Sequence, residues 1–566
     1  MTELTPNLRR SRQGWIVVAF FFALGLILAG LLISPELWAV IFQTDLTNPQ
    51  FDAPERPSAL QGGQLLRMML LLSGCSYIIF LLVLSRFCAG CTTKSDQPKW
   101  GAREGWILFG LIVLGFTARL PRLAESLWYD EIAAWTDYGM RGPGWIVGTY
   151  YDPANHIAHT LLTWCAVECF GDDAFALRFP ALLFSLGSIV AMYGLARHAS
   201  GIRVATIAAA LGAILPVAIL EGVEARGYSM MIFFASLSTW LALSAWSRNR
   251  PWKWFAYALC CALGIWAHLM TVFVPLGHGL WFAWRMIKNK EIGLGICAFS
   301  GLLFAAILTL TLYAPVIPQI LSIRETFAAT DGNEPRIFGP EGFHTLLQLG
   351  GSWYWWSSVV GLGFLVCGFI RATKTKTIRA PAFLSMLGLP LMLIVVAIAG
   401  SWMYARFTLI ALPGAILVIA CGLDALWDRK RVLALFAGLL IFASSIGDLT
   451  VRPPKQPLRE AATYLRNHVQ PSEHVLVIGL AHRVMDMYRG ELDFSYSLFH
   501  GRDLSDDLAR TKPTWIILMY PNHVSTEKKT MLNSQGFTET QLFRGWVDWG
   551  NGDILIYQKN FFPPRY

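Results

Sequence analysis

The chain has 566 residues, 55% hydrophobic and only 15% charged, with a mean hydropathy of +0.47. Soluble domains carry about 25% charged residues, so this composition excludes a soluble enzyme, a disordered chain and a disulfide scaffold. The net charge of +9 is split among short Lys/Arg clusters between apolar runs. It forms no basic stripe, which excludes nucleic acid as a partner.

Arg9, Arg10 and Arg12 precede an apolar run from Trp15 to about Ile33. A run of about 20 residues spans the ~30 Å hydrocarbon core. No small-residue cleavage site follows, so the run reads as an anchor and not a removed signal peptide. Twelve further runs recur near 66–86, 105–119, 177–196, 204–221, 229–246, 254–268, 270–286, 292–314, 354–370, 380–399, 405–425 and 431–448. About thirteen transmembrane helices are expected. Cys88 and Cys91 form a lone C-x-x-C with no second pair to complete a zinc site.

Segment 154–170 is short and carries His156, His159 and Glu168. If it does not span, the basic loops fall on one side: Lys94, Lys99 and Arg103; Arg197 and Arg203; Arg248, Arg250 and Lys253; Arg285, Lys288 and Lys290; Arg371, Lys374, Lys376 and Arg379; Arg429, Lys430 and Arg431. That is the cytoplasmic side by the positive-inside rule. If it did span, every later basic loop would face outward. The segment is therefore expected to lie flat on the outer interface as an amphipathic helix. Residues 120–176 become a long outer loop, 315–353 a second one, and the tail beyond about 450 also lies outside. The N-terminus is cytoplasmic, and a bacterial inner membrane is the preferred setting.

The tail reads as a soluble α/β domain. PLREAATYLRNH (457–468) and TEKKTMLNSQ (526–535) look helical, while VLVIG (475–479), TWIILMY (514–520) and DILIYQK (553–559) look like strands.

Charged residues near the membrane that loop solvation does not explain are functional candidates. Asp130 and Glu131, in SLWYDEIAAW, sit among Trp128, Tyr129, Ile132 and Trp135, an apolar setting suited to a base. The alternative is a helix cap at Asp130. Asp152, Asn155, His156 and His159 crowd YYDPANHIAH; they form an acceptor or second-acid region. A divalent metal on the two histidines and a plain cap at Asp152 are both open. Arg226, in EARGYSM, lies in a very short outer loop where a guanidinium can grip a phosphate, or can pair with Glu224 and snorkel. Arg406 and Tyr404, in SWMYARF, and His268, in IWAHLM, fall at the same depth. No Walker, G-x-S-x-G or HExxH motif is present.

The order SLWYDE, FGDDAFALRFPALLFS, EARGYSMM and YARFTLIALPGAIL resembles the GT-C glycosyltransferases, closest to the branch of protein O-mannosyltransferases and lipid A aminoarabinose transferases. The resemblance covers roughly 105–450, leaving residues 1–104 as two extra N-terminal helices and 451–566 as the outer α/β domain. It implies inverting sugar transfer from a polyprenyl-phosphate donor to a protein, lipid or glycan acceptor. Asp130 matches the first-loop catalytic acid and Glu131 its neighbour, and Asp152 falls near a second acidic position. Arg226 with Tyr228, Arg406 and, loosely, His268 match positions that grip the lipid phosphate. The competing readings are a transporter or flippase for lipid-linked glycans, and a scaffold that presents the tail domain. No internal repeat of the kind transporters show is visible.

Overall fold

A computed structural model of the protein describes residues 20–42, 55–88, 100–323, 355–399, 404–479, 485, 487–488, 493–499, 503–521, 524–547 and 552–559. Arg9, Arg10, Arg12, Cys91 and most of the second long loop lie outside these.

The described residues form a bundle of long apolar helices capped at one end by a small mixed sheet domain. Among the described residues nine helices are long and apolar enough to cross a membrane, or eleven if two bent pairs each count as one span. The expected number was thirteen. The shortfall falls at 254–268 and 270–286, which form helices Pro251–Ala267 and Phe273–Asn289 of 17 residues each. That length sits at the lower limit for a span. Segment 154–170 forms Ile157–Phe170, 14 residues long, too short to cross. It packs its Ile157, Ala158, Thr160 and Thr163 face inward.

One bent pair shapes the site. Helices Ile202–Ile214 and Pro216–Val223 meet at 56°. Pro216 has no N–H, so the carbonyl of Gly212, four residues earlier, loses its helical donor. The buried Arg119 supplies donors instead, from Nη2 to the Gly212 and Ala218 carbonyls at 3.1 and 3.2 Å and from Nη1 to Ala213 at 3.0 Å. The break is thus satisfied in an apolar interior, and the second half tilts to deliver Glu221–Arg226 over the bundle end.

Between Ala102–Leu123 and Ala174–Ser200 run the short helices Tyr129–Asp137, Pro143–Gly148 and Ile157–Phe170, the expected short helices of the first loop. At the far end, helix Leu412–Arg429 carries Asp424 and Asp428, which pair with Arg203 and Arg371. Loops read as lying on one side of the membrane therefore meet at one end of the bundle.

The tail holds a five-stranded sheet in the order β2-β1-β3-β5-β4: β1 His474–Ile478, β2 Ser495–Leu498, β3 Trp515–Met519, β4 Phe537–Phe543 and β5 Ile554–Lys559. β1 pairs β2 and β3 in parallel, and β5 pairs β3 and β4 antiparallel. β2 and β4, edge strands of mixed polarity, were not expected from the pattern, nor was helix Leu504–Thr511. The two-residue alternation splits the sheet's faces. Leu476, Ile478, Ile516 and Leu518 form a core with Leu504, Leu508 and Leu532. Val475, Val477 and Met519 face helix Leu458–His468 and continue into Leu127, Ile132, Trp135, Leu177 and Ala225 of the bundle. The tail domain is therefore fused by an apolar core to the segments that carry the candidate site.

Candidate active site

Helix Tyr129–Asp137 begins with a capping box. Trp128 is the N-cap, and the Glu131 carboxylate accepts the Trp128 N–H at 3.2 Å. Asp130 is therefore not the cap. Its side chain, 21% exposed, turns to the bundle end, where Arg406 Nη2 donates to Oδ2 at 3.0 Å. Arg226 Nη1 lies 3.6 Å from the same oxygen and donates to the Asp130 carbonyl at 3.3 Å. Three segments separated by up to 276 residues thus place one carboxylate between two mostly buried guanidiniums.

The arginines are set by their surroundings. Arg406 lies 4.1 Å over the Tyr404 ring, 5.3 Å over Trp128 and 5.7 Å over Tyr228, cation–π positions that fix its plane. Arg226 follows a tight turn in which its N–H donates to the Glu224 carbonyl at 2.6 Å. Gly227 has no alternative there. A Cβ would stand 2.3 Å from the Ala267 carbonyl and 3.0 Å from His156 Nδ1.

Beside the arginines, His156, Tyr228 and His268 form a compact ring cluster. His156 stacks on His268 with centroids 4.6 Å apart, and Tyr228 lies 5.6 and 5.1 Å from the two imidazoles. His268 Nδ1 accepts the Met270 N–H at 3.2 Å, which leaves the ring proton of the neutral form on Nε2. Among the described residues, His156 Nε2, His268 Nε2 and the Tyr228 hydroxyl have no hydrogen-bond partner although all three side chains are buried. Buried polar groups left this way mark a place where a ligand or water completes the set.

Burial, followed by the Arg226 charge, holds His156 well below the usual imidazole range and His159 at about 3. The folded protein therefore refuses protons that the unfolded chain accepts below about pH 6.5. Stability is full above that pH and falls beneath it by about 1.4 kcal/mol per pH unit for each such histidine. His159→Gln is expected to flatten the acid side of a Tm–pH curve between pH 6.5 and 4. An unchanged slope would mean that His159 does not stay neutral in the folded state.

Other expected residues are used differently. Glu131 is fully buried; Arg178 Nε and Nη2 donate to its two oxygens at 2.8 and 2.6 Å, and Ala225 N–H donates at 2.7 Å. With the capping bond, both its oxygens are occupied by fixed donors, so it cannot serve as a base beside Asp130. Asp152 is exposed, and its Oδ1 accepts the Ala154 N–H at 2.6 Å in a local turn. Asn155 Nδ2 donates to the Ile146 and Thr149 carbonyls at 2.9 Å each. Of the YYDPANHIAH group, His156 alone joins the ring cluster. Among the described residues no three His, Cys, Asp or Glu side chains converge to hold a metal. Glu224 pairs with Lys455 of the tail, not with Arg226.

Sequence reasoning missed two residues. Arg178 winds the loop about itself, with Nη1 donating to the Arg122 and Glu125 carbonyls at 2.9 Å and Nη2 to Ser126 at 3.1 Å. Its motif, FGDDAFALRFP, was visible, but its partner 47 residues earlier was not. Lys455 is the second.

The structure thus brings one acid and two arginines together at one end of an apolar bundle. Residues 156–317 match the family model of dolichyl-phosphate-mannose-protein mannosyltransferase, a stretch that contains His156, Arg178, Arg226, Tyr228 and His268. Among solved structures, the chain is similar to ArnT from Cupriavidus metallidurans bound to undecaprenyl phosphate, at 13% identity, covering 81% of this chain and 98% of that one with a TM-score of 0.49. It is similar to the oligosaccharyltransferase AglB from Archaeoglobus fulgidus at 12% identity, covering 82% and 75% with a TM-score of 0.45. The arabinosyltransferase EmbB from Mycobacterium smegmatis aligns at 16% identity over 63% and 34%, with a TM-score of 0.42. No curated protein sequence matches the chain.

Proposed function

We propose that the protein is an inverting glycosyltransferase that moves a sugar from a polyprenyl-phosphate donor to an acceptor hydroxyl at the outer face of the inner membrane. The carrying observation is Asp130 Oδ2 held between Arg406 at 3.0 Å and Arg226 at 3.6 Å. The matched family is described by a lipid-phosphate sugar donor, which supports the donor class.

In this reading Asp130 accepts the proton of the acceptor hydroxyl as its oxygen bonds to the anomeric carbon. The bond from that carbon to the phosphate oxygen breaks on the opposite side, which inverts the configuration. The leaving group is already a stable phosphate anion and needs no general acid. Arg226 and Arg406 stabilise the charge growing on it, and His268 Nε2 and the Tyr228 hydroxyl add neutral donors. His156 lines the same cluster beside them.

Surface-glycan mass spectrometry on a deletion strain, with and without the wild-type gene, tests the reading. One defined sugar should vanish and return. Directional transport of labelled lipid by proteoliposomes without sugar transfer would favour a flippase instead.

Arg226→Ala should weaken polyprenyl-phosphate binding by about ten- to a hundredfold, the value of a charge-assisted hydrogen bond. Its effect on Tm should be small. Unchanged lipid affinity would remove Arg226 from the donor site.

A further inference from the structure

The segment joining the last long helix, Arg431–Val451, to the tail helix, Leu458–His468, crosses the candidate site instead of running through solvent. Arg122 Nη2 donates to the Arg452 carbonyl at 3.2 Å. Gln456 Oε1 accepts the N–H of Tyr129, the residue before Asp130, at 2.9 Å. The Arg459 N–H donates to Ser126 Oγ at 3.0 Å, and its Nη2 to the Ala124 carbonyl at 2.6 Å. These bonds hold residues 122–129 to the linker, and Arg178 binds the same stretch through separate contacts.

Lys455 is the centre of this strap. Its backbone belongs to the tail domain, where its carbonyl accepts the Val547 N–H at 3.3 Å. Its side chain belongs to the site. Nζ pairs with Glu224 and lies 3.4 Å from Glu221 Oε1, 4.5 Å from the centre of the Trp128 ring and 5.1 Å from that of Trp546. Trp128 is the ring on which Arg406 also rests. Glu224 supplies the carbonyl that fixes the Arg226 N–H. One lysine side chain, 9% exposed, thus touches the immediate neighbours of both arginines.

We infer that Lys455 is a positioning residue, through which the tail domain sets Arg226 and Arg406 for the donor phosphate; this rests on the transferase reading above. The physical reason is charge balance in a poorly hydrated place. Among the described residues, Lys455 is the cation within ion-pair distance of Glu221 and Glu224. Remove it and two nearly buried carboxylates lose their close ion pair. Arg226, two residues from Glu224 in the same tight turn, is the guanidinium they would recruit. A guanidinium turned to Glu224 is withdrawn from Asp130 and from the phosphate. The tail domain, which carries no recognisable catalytic motif, then acts on the chemistry through one side chain.

The test uses full-length protein in nanodiscs and undecaprenyl phosphate as the probe. Lys455→Met should raise the lipid Kd roughly tenfold, the loss expected when one charge-assisted contact is misplaced, and Lys455→Arg should restore most of it. Hydrogen exchange should rise in peptides covering 124–131 and 221–228, with the membrane helices still protected. Unchanged Kd and unchanged exchange in Lys455→Met overturn the inference. If binding falls only in step with global stability, and Lys455→Arg does not rescue it, Lys455 is a docking contact and the inference also fails. If the wild type binds no undecaprenyl phosphate, the transferase reading fails, while the exchange comparison still decides whether the strap orders the two loops. Should Lys455→Met not accumulate, Gln456→Ala removes the acceptor of the Tyr129 N–H. Faster exchange at 124–131 in that variant supports the strap, and unchanged exchange there overturns it.

Discussion

Asp130→Asn is expected to lower kcat for sugar transfer by about 10²–10⁴-fold, the usual worth of a positioned base, with donor affinity retained. The change keeps the shape of the side chain and removes the charge that accepts the acceptor's proton. Donor affinity should hold because Arg226 and Arg406 keep their anchors: the Glu224 turn for one, the Tyr404 and Trp128 rings for the other. Their release from Oδ2 should favour the incoming phosphate if anything, since an anion takes the place of the one lost. The measurement is a split of kcat against donor KM in purified enzyme, with the surface-glycan profile as its cellular counterpart. A normal glycan profile at matched membrane abundance would leave Asp130 a structural partner of two arginines, and the flippase and scaffold readings would move ahead.

How far the site was legible follows from which contacts are local. The spans are visible because apolar runs of spanning length have few other uses. Asp130, Arg226 and Arg406 stood out one by one as charges near the membrane, and depth alone suggested that they meet. Adjacent acids are another matter. Asp130 and Glu131 are indistinguishable as letters, yet successive residues on a helix point about 100° apart. That rotation sends one to the arginines at the bundle end and the other inward, to Arg178 and the Ala225 N–H. Asp152 looked like a second acid, but its oxygen serves the Ala154 N–H two residues on. Lys455 offered only a cation in the linker VRPPKQP, and its partners Glu221 and Glu224 lie more than 200 residues earlier. Long-range pairing of this kind leaves no periodic trace. The edge strands β2 and β4 escaped for a similar reason, since half-exposed strands mix polar and apolar residues as loops do.

The largest stability effect is expected at Arg178→Met. Taking two ions out of water is repaid only when the geometry is good and the remaining donors are satisfied. Here both conditions hold. Glu131 accepts from Arg178 Nε, Arg178 Nη2, Ala225 N–H and Trp128 N–H, and the other Arg178 donors serve backbone carbonyls between 122 and 126. Removing the guanidinium leaves a fully buried carboxylate unpaired and several carbonyls without donors. The expected loss is about 3–5 kcal/mol, read as a large drop in Tm and in membrane abundance. Glu131→Gln in the same background should recover part of it, because the amide removes the stranded charge and keeps the shape. Glu131→Gln alone leaves Arg178 as the uncompensated ion and should also be destabilising, though less so, since its carbonyl partners remain. The ordering of the three variants separates a structural pair from a catalytic one. If Glu131→Gln were stable but inactive, Glu131 would return to the reaction. A destabilised variant whose folded fraction turns over normally would confine Glu131 to holding the loop from which Asp130 works.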